Sequence, residues 1–290
     1  MSSGYAGAAE LAWIFQRDIF MKLFLRFLLS LVGLIVGAAQ AGAQTRTLTR
    51  AHAHNDYAHA RPLFDALAAR FGSIEADVFL VDGKLLVAHE RKAVSPEKTL
   101  EALYLEPLRA RIAANGGSVY GDGVSVTLLI DVKTEAAATY AALHRVLAGF
   151  AAMVTRYENG EVKPGAISVI ISGNRARAAM EQATLRYAAM DGRLGDLEAP
   201  LSAPSLIPLV SDTWAKLSSW RGDGPLPEAD REKIKTRVQQ AHAQGRRLRL
   251  WAAPDTPAAW EILDACGVDL INTDHLKELA AYLEKKRPAR

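Results

Sequence analysis

The sequence predicts an α/β fold of (β/α)8 type, a single TIM barrel, and three observations carry that expectation. Eight short apolar runs with strand character recur between residues 47 and 274. Most are separated by stretches with apolar residues at helical spacing and a glycine near the end, as in ARPLFDALAARFG and PAAWEILDACG. Eight such units in about 250 residues is the size of one closed barrel. A doubly wound open sheet is the rival arrangement. It lacks the G-x-G-x-x-G turn that would follow its first strand.

In chain order the expected strands are TLTRAHAH (47–54), SIEADVFL (73–80), VTLLIDVK (126–133), AISVIIS (166–172), YAAMD (187–191), LIPLVSD (206–212), RLRLWAA (247–253) and VDLINTD (268–274). The second continues into a hairpin closed by His89. SWRGDGPLPEADREK is polar and rich in Gly and Pro, and is expected to be a long loop leading into a helix over the barrel mouth.

The barrel is expected to occupy residues 44–290 as one domain, behind a leader. From Met21, MKLFLRFLLSLVGLIVGAAQAGAQ has a basic start, an apolar stretch and the small-residue end Ala41-Gly42-Ala43. That is the anatomy of a signal peptide cut before Gln44, with Met21 as the start. A retained membrane anchor is the alternative, since Leu23 to Ala39 approaches spanning length. Removing residues 1–43 takes away three basic and two acidic side chains and leaves a net charge of +2. The expected location is therefore outside the cytoplasm, periplasmic or secreted. A chain this close to neutral offers no basic field for nucleic acid. The single cysteine, Cys266, excludes an internal disulfide and reads as a small buried hydrophobe.

Glu75 and Asp77 share one face of an apolar strand, with Cβ atoms roughly 7 Å apart, and Asp131 lies in an equally apolar run. Isolated buried carboxylates cost several kcal/mol each or take up a proton. Three converging at the C-terminal end of a barrel call for a cation, and an all-oxygen ligand set favours Mg2+ or else Ca2+. Ion pairing to Lys133, Arg50 or Arg249 is the alternative. His54 and His89 sit where strands run into loops and are the expected acid/base pair. Lys133 has the parity of Asp131 and can hold a phosphate oxygen. Asn55, Arg61 and Trp251 are the expected substrate-binding residues, while His52 is expected to pack in the core. A cation, a lysine and two imidazoles are what phosphodiester cleavage needs.

AHAHND, SIEADVFLVDGKLLVAHE and LLIDVKT together resemble the PLC-like phosphodiesterase superfamily, which includes glycerophosphodiester phosphodiesterases and sphingomyelinase D-type enzymes. The likeness leans toward its altered inheritance of mitochondria protein 6 branch, on HNDY (54–57), E-x-D (75–77), PLVSD (208–212), R-x-W-x-x-P-D (249–255) and GVDLINTD (267–274). The resemblance implies a metal-dependent TIM-barrel phosphodiesterase. It would have His54 and His89 as catalytic histidines, Lys133 on phosphate, and Glu75, Asp77 and Asp131 on the metal. It also implies a glycerophosphodiester or phospholipid-derived substrate and, where a neighbouring substrate hydroxyl attacks phosphorus, a cyclic phosphate product; transient contact with a membrane surface is the further expectation for its partners. Two departures stand out. His54-Asn55-Asp56 replaces the His-Arg-Gly of glycerophosphodiesterases, and Asp131 sits in Asp-x-Lys rather than Glu-x-Lys. A metal-binding barrel without catalysis, and a hydrolase of another ester class such as a sugar phosphate, are the other readings.

Overall fold

The structure, a computed structural model, describes residues 46–198 and 202–286. The expected leader, with its start at Met21 and cleavage before Gln44, lies outside them. Eight parallel strands form the sheet: β1 Leu48–Ala53, β2 Phe71–Val81, β3 Val126–Val132, β4 Ile167–Gly173, β5 Ala189–Gly192, β6 Leu209–Thr213, β7 Arg247–Trp251 and β8 Ile271–Thr273. They neighbour one another in sequence order, and β8 pairs back onto β1. One parallel bridge from Arg249 to Leu270 joins β7 to the segment entering β8. The sheet is thus a nearly closed barrel, as expected. Pro208 explains why β6 starts at Leu209 rather than Leu206, because proline has no N–H for the ladder.

Among the described residues seven α-helices follow the strands: α1 Phe64–Ala68, α2 Glu106–Ala114, α3 Ala136–Ala148, α4 Arg177–Gln182, α5 Glu228–Ala243, α6 Pro257–Ala265 and α7 Leu276–Lys285. Their starts follow from composition. The Glu135 carboxylate accepts from the N–H groups of Ala137 and Ala138 ahead of alanine-rich α3, and Thr256 caps α6 with Pro257 in the first turn. Between β5 and β6 the described chain makes only a 3-10 turn, Leu194–Leu197. The long Gly- and Pro-rich loop does lead into a helix, but α5 packs on β7 in the outer ring rather than over the mouth. A parallel crossover has to return on the outer face of the sheet.

Residue parity sorts each strand into two environments. Leu128, Ile130 and Val132 belong to the large core under the helices. Leu129, Ile170, Ala189, Leu209 and Leu270 form a separate small cluster inside the barrel. Glu75 pairs in register with Leu129, and Asp77 with Asp131, so the carboxylates lie above that apolar plug toward the C-terminal end of the strands. The hairpin strand Lys84–Val87 pairs antiparallel with β2 and brings His89 back beside Asp77. A second small antiparallel sheet, Arg156–Glu158, Glu161–Lys163 and Leu185–Arg186, was not expected. Its signal is the turn Asn159-Gly160, where both residues have positive φ, 52° and 85°.

The loop after β1 is held by a fully buried carboxylate. Asp56 accepts from the Leu63 N–H at 2.5 Å and the Tyr104 hydroxyl at 2.9 Å. Burial outweighs these bonds and pushes the Asp56 carboxyl up to about 6. An acid raised in the folded state is most favourable below its unfolded pKa, and that contribution is lost as pH rises through the folded value. Asp56 should therefore cost about 3 kcal/mol of stability between pH 4 and pH 7. Denaturant unfolding across that range should show a flatter pH profile for Asp56→Asn than for the wild type. Superimposable profiles would remove Asp56 as a titrating group.

Candidate active site

The C-terminal end of β2 and β3 collects the predicted residues. Glu75 and Asp77 are buried, with 6 % and 1 % of their surface exposed, and Asp131 lies beside them. One oxygen from each of the three carboxylates falls within 4.8 Å of the others. Gly173 makes room for this: it has φ +65° at the end of β4, and a Cβ there would stand 1.9 Å from Asp131 Oδ1. A side chain would drive Asp131 off its place.

Two cations already face the acids. Arg249 Nη2 donates to Glu75 Oε2 at 2.7 Å, and Lys133 Nζ lies 2.7 Å from Asp131 Oδ2 and 3.0 Å from Asp77 Oδ2. Lys133 and Arg249 thus pair with the acids. Arg50, the third cation of that alternative, pairs with Asp264 instead. Burial works against the Glu75 carboxylate, but Arg249 and His52 more than compensate and hold its carboxyl well below the usual range. Asp77 goes the other way: burial, with Asp131 and Glu75 as like charges, outweighs Lys133 and raises it.

The ion pairs do not satisfy the cluster. Asp77 Oδ1 and Asp131 Oδ1 are buried without a hydrogen-bond partner. Buried carboxylate oxygens left bare are costly, and a hard divalent cation prefers just such donors. The acids therefore fit a metal.

Both histidines are anchored through Nδ1, which leaves Nε2 for chemistry. His54 Nδ1 lies 3.0 Å from Asp274 Oδ1 and 2.9 Å from Asn55 Nδ2. Burial disfavours the His54 imidazolium, but Asp274 and Glu75 outweigh it and its pKa is raised. His89 Nδ1 lies 3.2 Å from Asp77 Oδ2 and 3.0 Å from the Tyr57 hydroxyl.

Sequence reasoning missed several members of this network. Tyr57 donates to Asp77 Oδ2 at 2.8 Å or to Asn55 Oδ1 at 2.6 Å, and its ring stacks on His89 with centroids 6.2 Å apart. Burial and the neighbouring Asp77 raise the Tyr57 hydroxyl far above its ordinary value, so it stays protonated. With its one proton given to an oxygen, Tyr57 can accept from His89 Nδ1–H and set the tautomer. Its position three residues after His54 was the available signal. His52 does more than fill the core. It is fully buried, 2.7 Å from Ser73 Oγ and 2.9 Å from Glu75 Oε2, and its pKa is lowered to about 4 by burial and by Arg249. The neutral ring gives Nε2–H to Glu75 and accepts from Ser73.

Of the three expected substrate residues, Asn55 joins this network. Asn55 Oδ1 can accept from Tyr57, and Asn55 Nδ2 lies 2.9 Å from the His54 Nδ1 that faces Asp274. Arg61 is exposed and paired with Asp65 at 2.7 Å. Trp251 is 39 % exposed at the end of β7. Ser172, at the end of β4, donates to the buried Asp191 rather than joining the acids. Cys266 is buried and free, as expected.

Comparison with known proteins finds sequence relatives and a structural neighbour. The chain is 29% identical over 264 residues to the altered inheritance of mitochondria protein 6 homolog of Arthroderma benhamiae, covering 80% of this chain and 82% of that protein. It is 27% identical over 278 residues to altered inheritance of mitochondria protein 6 of Eremothecium gossypii, covering 81% and 69%. A solved glycerophosphodiester phosphodiesterase from Agrobacterium tumefaciens superposes with a TM-score of 0.49 at 16% identity, over 82% of this chain and 100% of that one. The family model of the AIM6-like phosphodiesterase domain matches residues 45–191, half of the chain and all of the carboxylate, lysine and histidine cluster, and the chain belongs to that family.

Proposed function

We propose that this protein is a divalent-cation-dependent phosphodiesterase acting on a glycerophosphodiester or a phospholipid-derived diester. The observation that carries the reading is the pair of buried, unpartnered oxygens on Asp77 and Asp131, set between two histidines and a lysine. Glu75, Asp77 and Asp131 would hold the ion, with Mg2+ the best match to oxygen donors. When bound, the ion would turn a site of net charge −1, three acids against Arg249 and Lys133, into one of +1 and stabilise charge on phosphate oxygens.

The protein's own groups then divide the work. Lys133 is held by Asp77 and Asp131 where an ammonium can meet a phosphate oxygen. His54 and His89 each present Nε2, one to take a proton from the attacking hydroxyl and the other to give one to the departing oxygen. Asp274 supports the imidazolium of His54, and Tyr57 with Asp77 steadies His89.

Chelator-treated protein should be inactive on glycerophosphocholine, lysophosphatidylcholine and bis-(p-nitrophenyl) phosphate, and regain turnover with added Mg2+. Mg2+ at a hundred times its Kd should also stabilise the fold by about 2.7 kcal/mol, and Asp131→Asn should abolish that gain. Turnover that ignores EDTA would overturn the metal assignment. The same unpartnered oxygens on Asp77 and Asp131 also fit a second reading, in which the ion is held but no diester is cleaved. A binding barrel without catalysis would keep the metal-dependent stabilisation, turn over no diester and be indifferent to His54→Ala.

A further inference from the structure

Two cavities flank the first loop, and one of them abuts His89. On one side is a pocket of about 500 Å3, walled by Tyr57 and His89 and closed by Ala58, Pro62, Val87 and Leu103. Among the described residues Lys98 is the one lysine or arginine in its lining. On the other side is a groove of about 640 Å3 that includes Asp274, the partner of His54, with Arg61, Arg70, Lys277 and Glu278. His59 lines both, so the loop after β1 is the divider. Both volumes fall in the range of small-ligand sites.

Tyr57 and His89 have a double role at this boundary. Their polar atoms contact Asp77 Oδ2 at 2.8 and 3.2 Å, while their stacked rings form the wall of the apolar pocket. A group bound in that pocket is therefore one aromatic ring away from the carboxylates. A phosphodiester has two arms, one on each side of phosphorus. With phosphorus held near Lys133, an arm that runs past His89 lies among alanine, proline, valine and leucine side chains.

Resting on the phosphodiesterase reading above, we propose that the pocket beside His89 receives an alkyl or acyl arm, so the preferred substrate is a diester that carries an apolar chain on that side of phosphorus. A purely polar diester such as glycerophosphocholine would leave the pocket wet and gain nothing there. Each methylene moved from water into such a site strengthens binding by up to roughly fourfold.

The test compares kcat/KM on glycerophosphocholine with that on hexanoyl and octanoyl lysophosphatidylcholine below their micelle concentrations, with Mg2+ present. Alongside it, calorimetry compares binding of methyl phosphate and hexyl phosphate. We expect at least about a tenfold preference for the hexanoyl substrate and a similar ratio for hexyl phosphate. Ala58→Gln and Ala93→Gln place a neutral polar side chain at exposed positions of the pocket lining, and should shrink both ratios below about threefold. Equal kcat/KM across chain lengths, with turnover intact, overturns the inference and leaves the phosphodiesterase reading standing. If no diester is cleaved with any divalent ion, that reading fails. The alkyl phosphates then judge the pocket alone: a retained tenfold ratio lost in Ala58→Gln upholds it, and equal binding overturns it.

Discussion

His89→Ala should lower kcat/KM on the order of 10²-fold or more while leaving the melting temperature within a degree or two of the wild type. The two expectations come from different links in the chain from structure to function. The His89 side chain is 62% exposed and stands on the loop after the hairpin, so its removal opens no cavity. Its Nδ1 is engaged by Tyr57 and Asp77, and deleting the ring removes a positioned proton carrier that no neighbour can replace. Tyr57→Phe keeps the ring stack and loses only the hydroxyl, so its cost should fall near tenfold and appear in kcat rather than KM. A His89→Ala protein within threefold of wild-type activity would end the acid/base assignment.

Arg249→Met should destabilise the fold by about 3–5 kcal/mol, because it strands a buried carboxylate. Arg249 and Glu75 lie 2.7 Å apart with side chains only 4% and 8% exposed. Arg249 also donates to Asn272 Oδ1 at 2.8 Å, which ties β7 to β8 where one bridge joins them. For a domain of this size the loss should lower the melting temperature by roughly 10 °C. The decisive measurement is the double variant Arg249→Met with Glu75→Gln, which removes both charges. It should recover most of the loss, since a paired deletion leaves no bare ion. No recovery would show that Arg249 acts through the strand junction rather than through Glu75.

The barrel was legible because parallel strands buried on both faces read as near-continuous apolar runs, so a polar residue inside one stands out. Glu75, Asp77 and Asp131 were visible on that ground, and Lys133 by its parity with Asp131. His54 and His89 were visible by their place at strand ends. Less could be read where pairing depends on two distant segments. Asp274 reaches His54 across 220 positions, and Arg249 reaches Glu75 across 174. No local pattern announces such contacts. His52 was read as packing because a buried imidazole with satisfied nitrogens and a filler side chain look alike in a string of letters.

The succession of apolar runs and helical stretches, with the length of the chain, determined the fold class, and the polar residues set inside or at the ends of those runs supplied the list of chemically interesting side chains. The shape of the barrel alone decided which of those side chains meet. Register sets Asp77 against Asp131, closure carries Arg249 and Asp274 round to the first two strands, and the hairpin turns His89 back onto Asp77. These are consequences of ring closure and strand stagger, quantities that belong to the whole sheet and to no single segment.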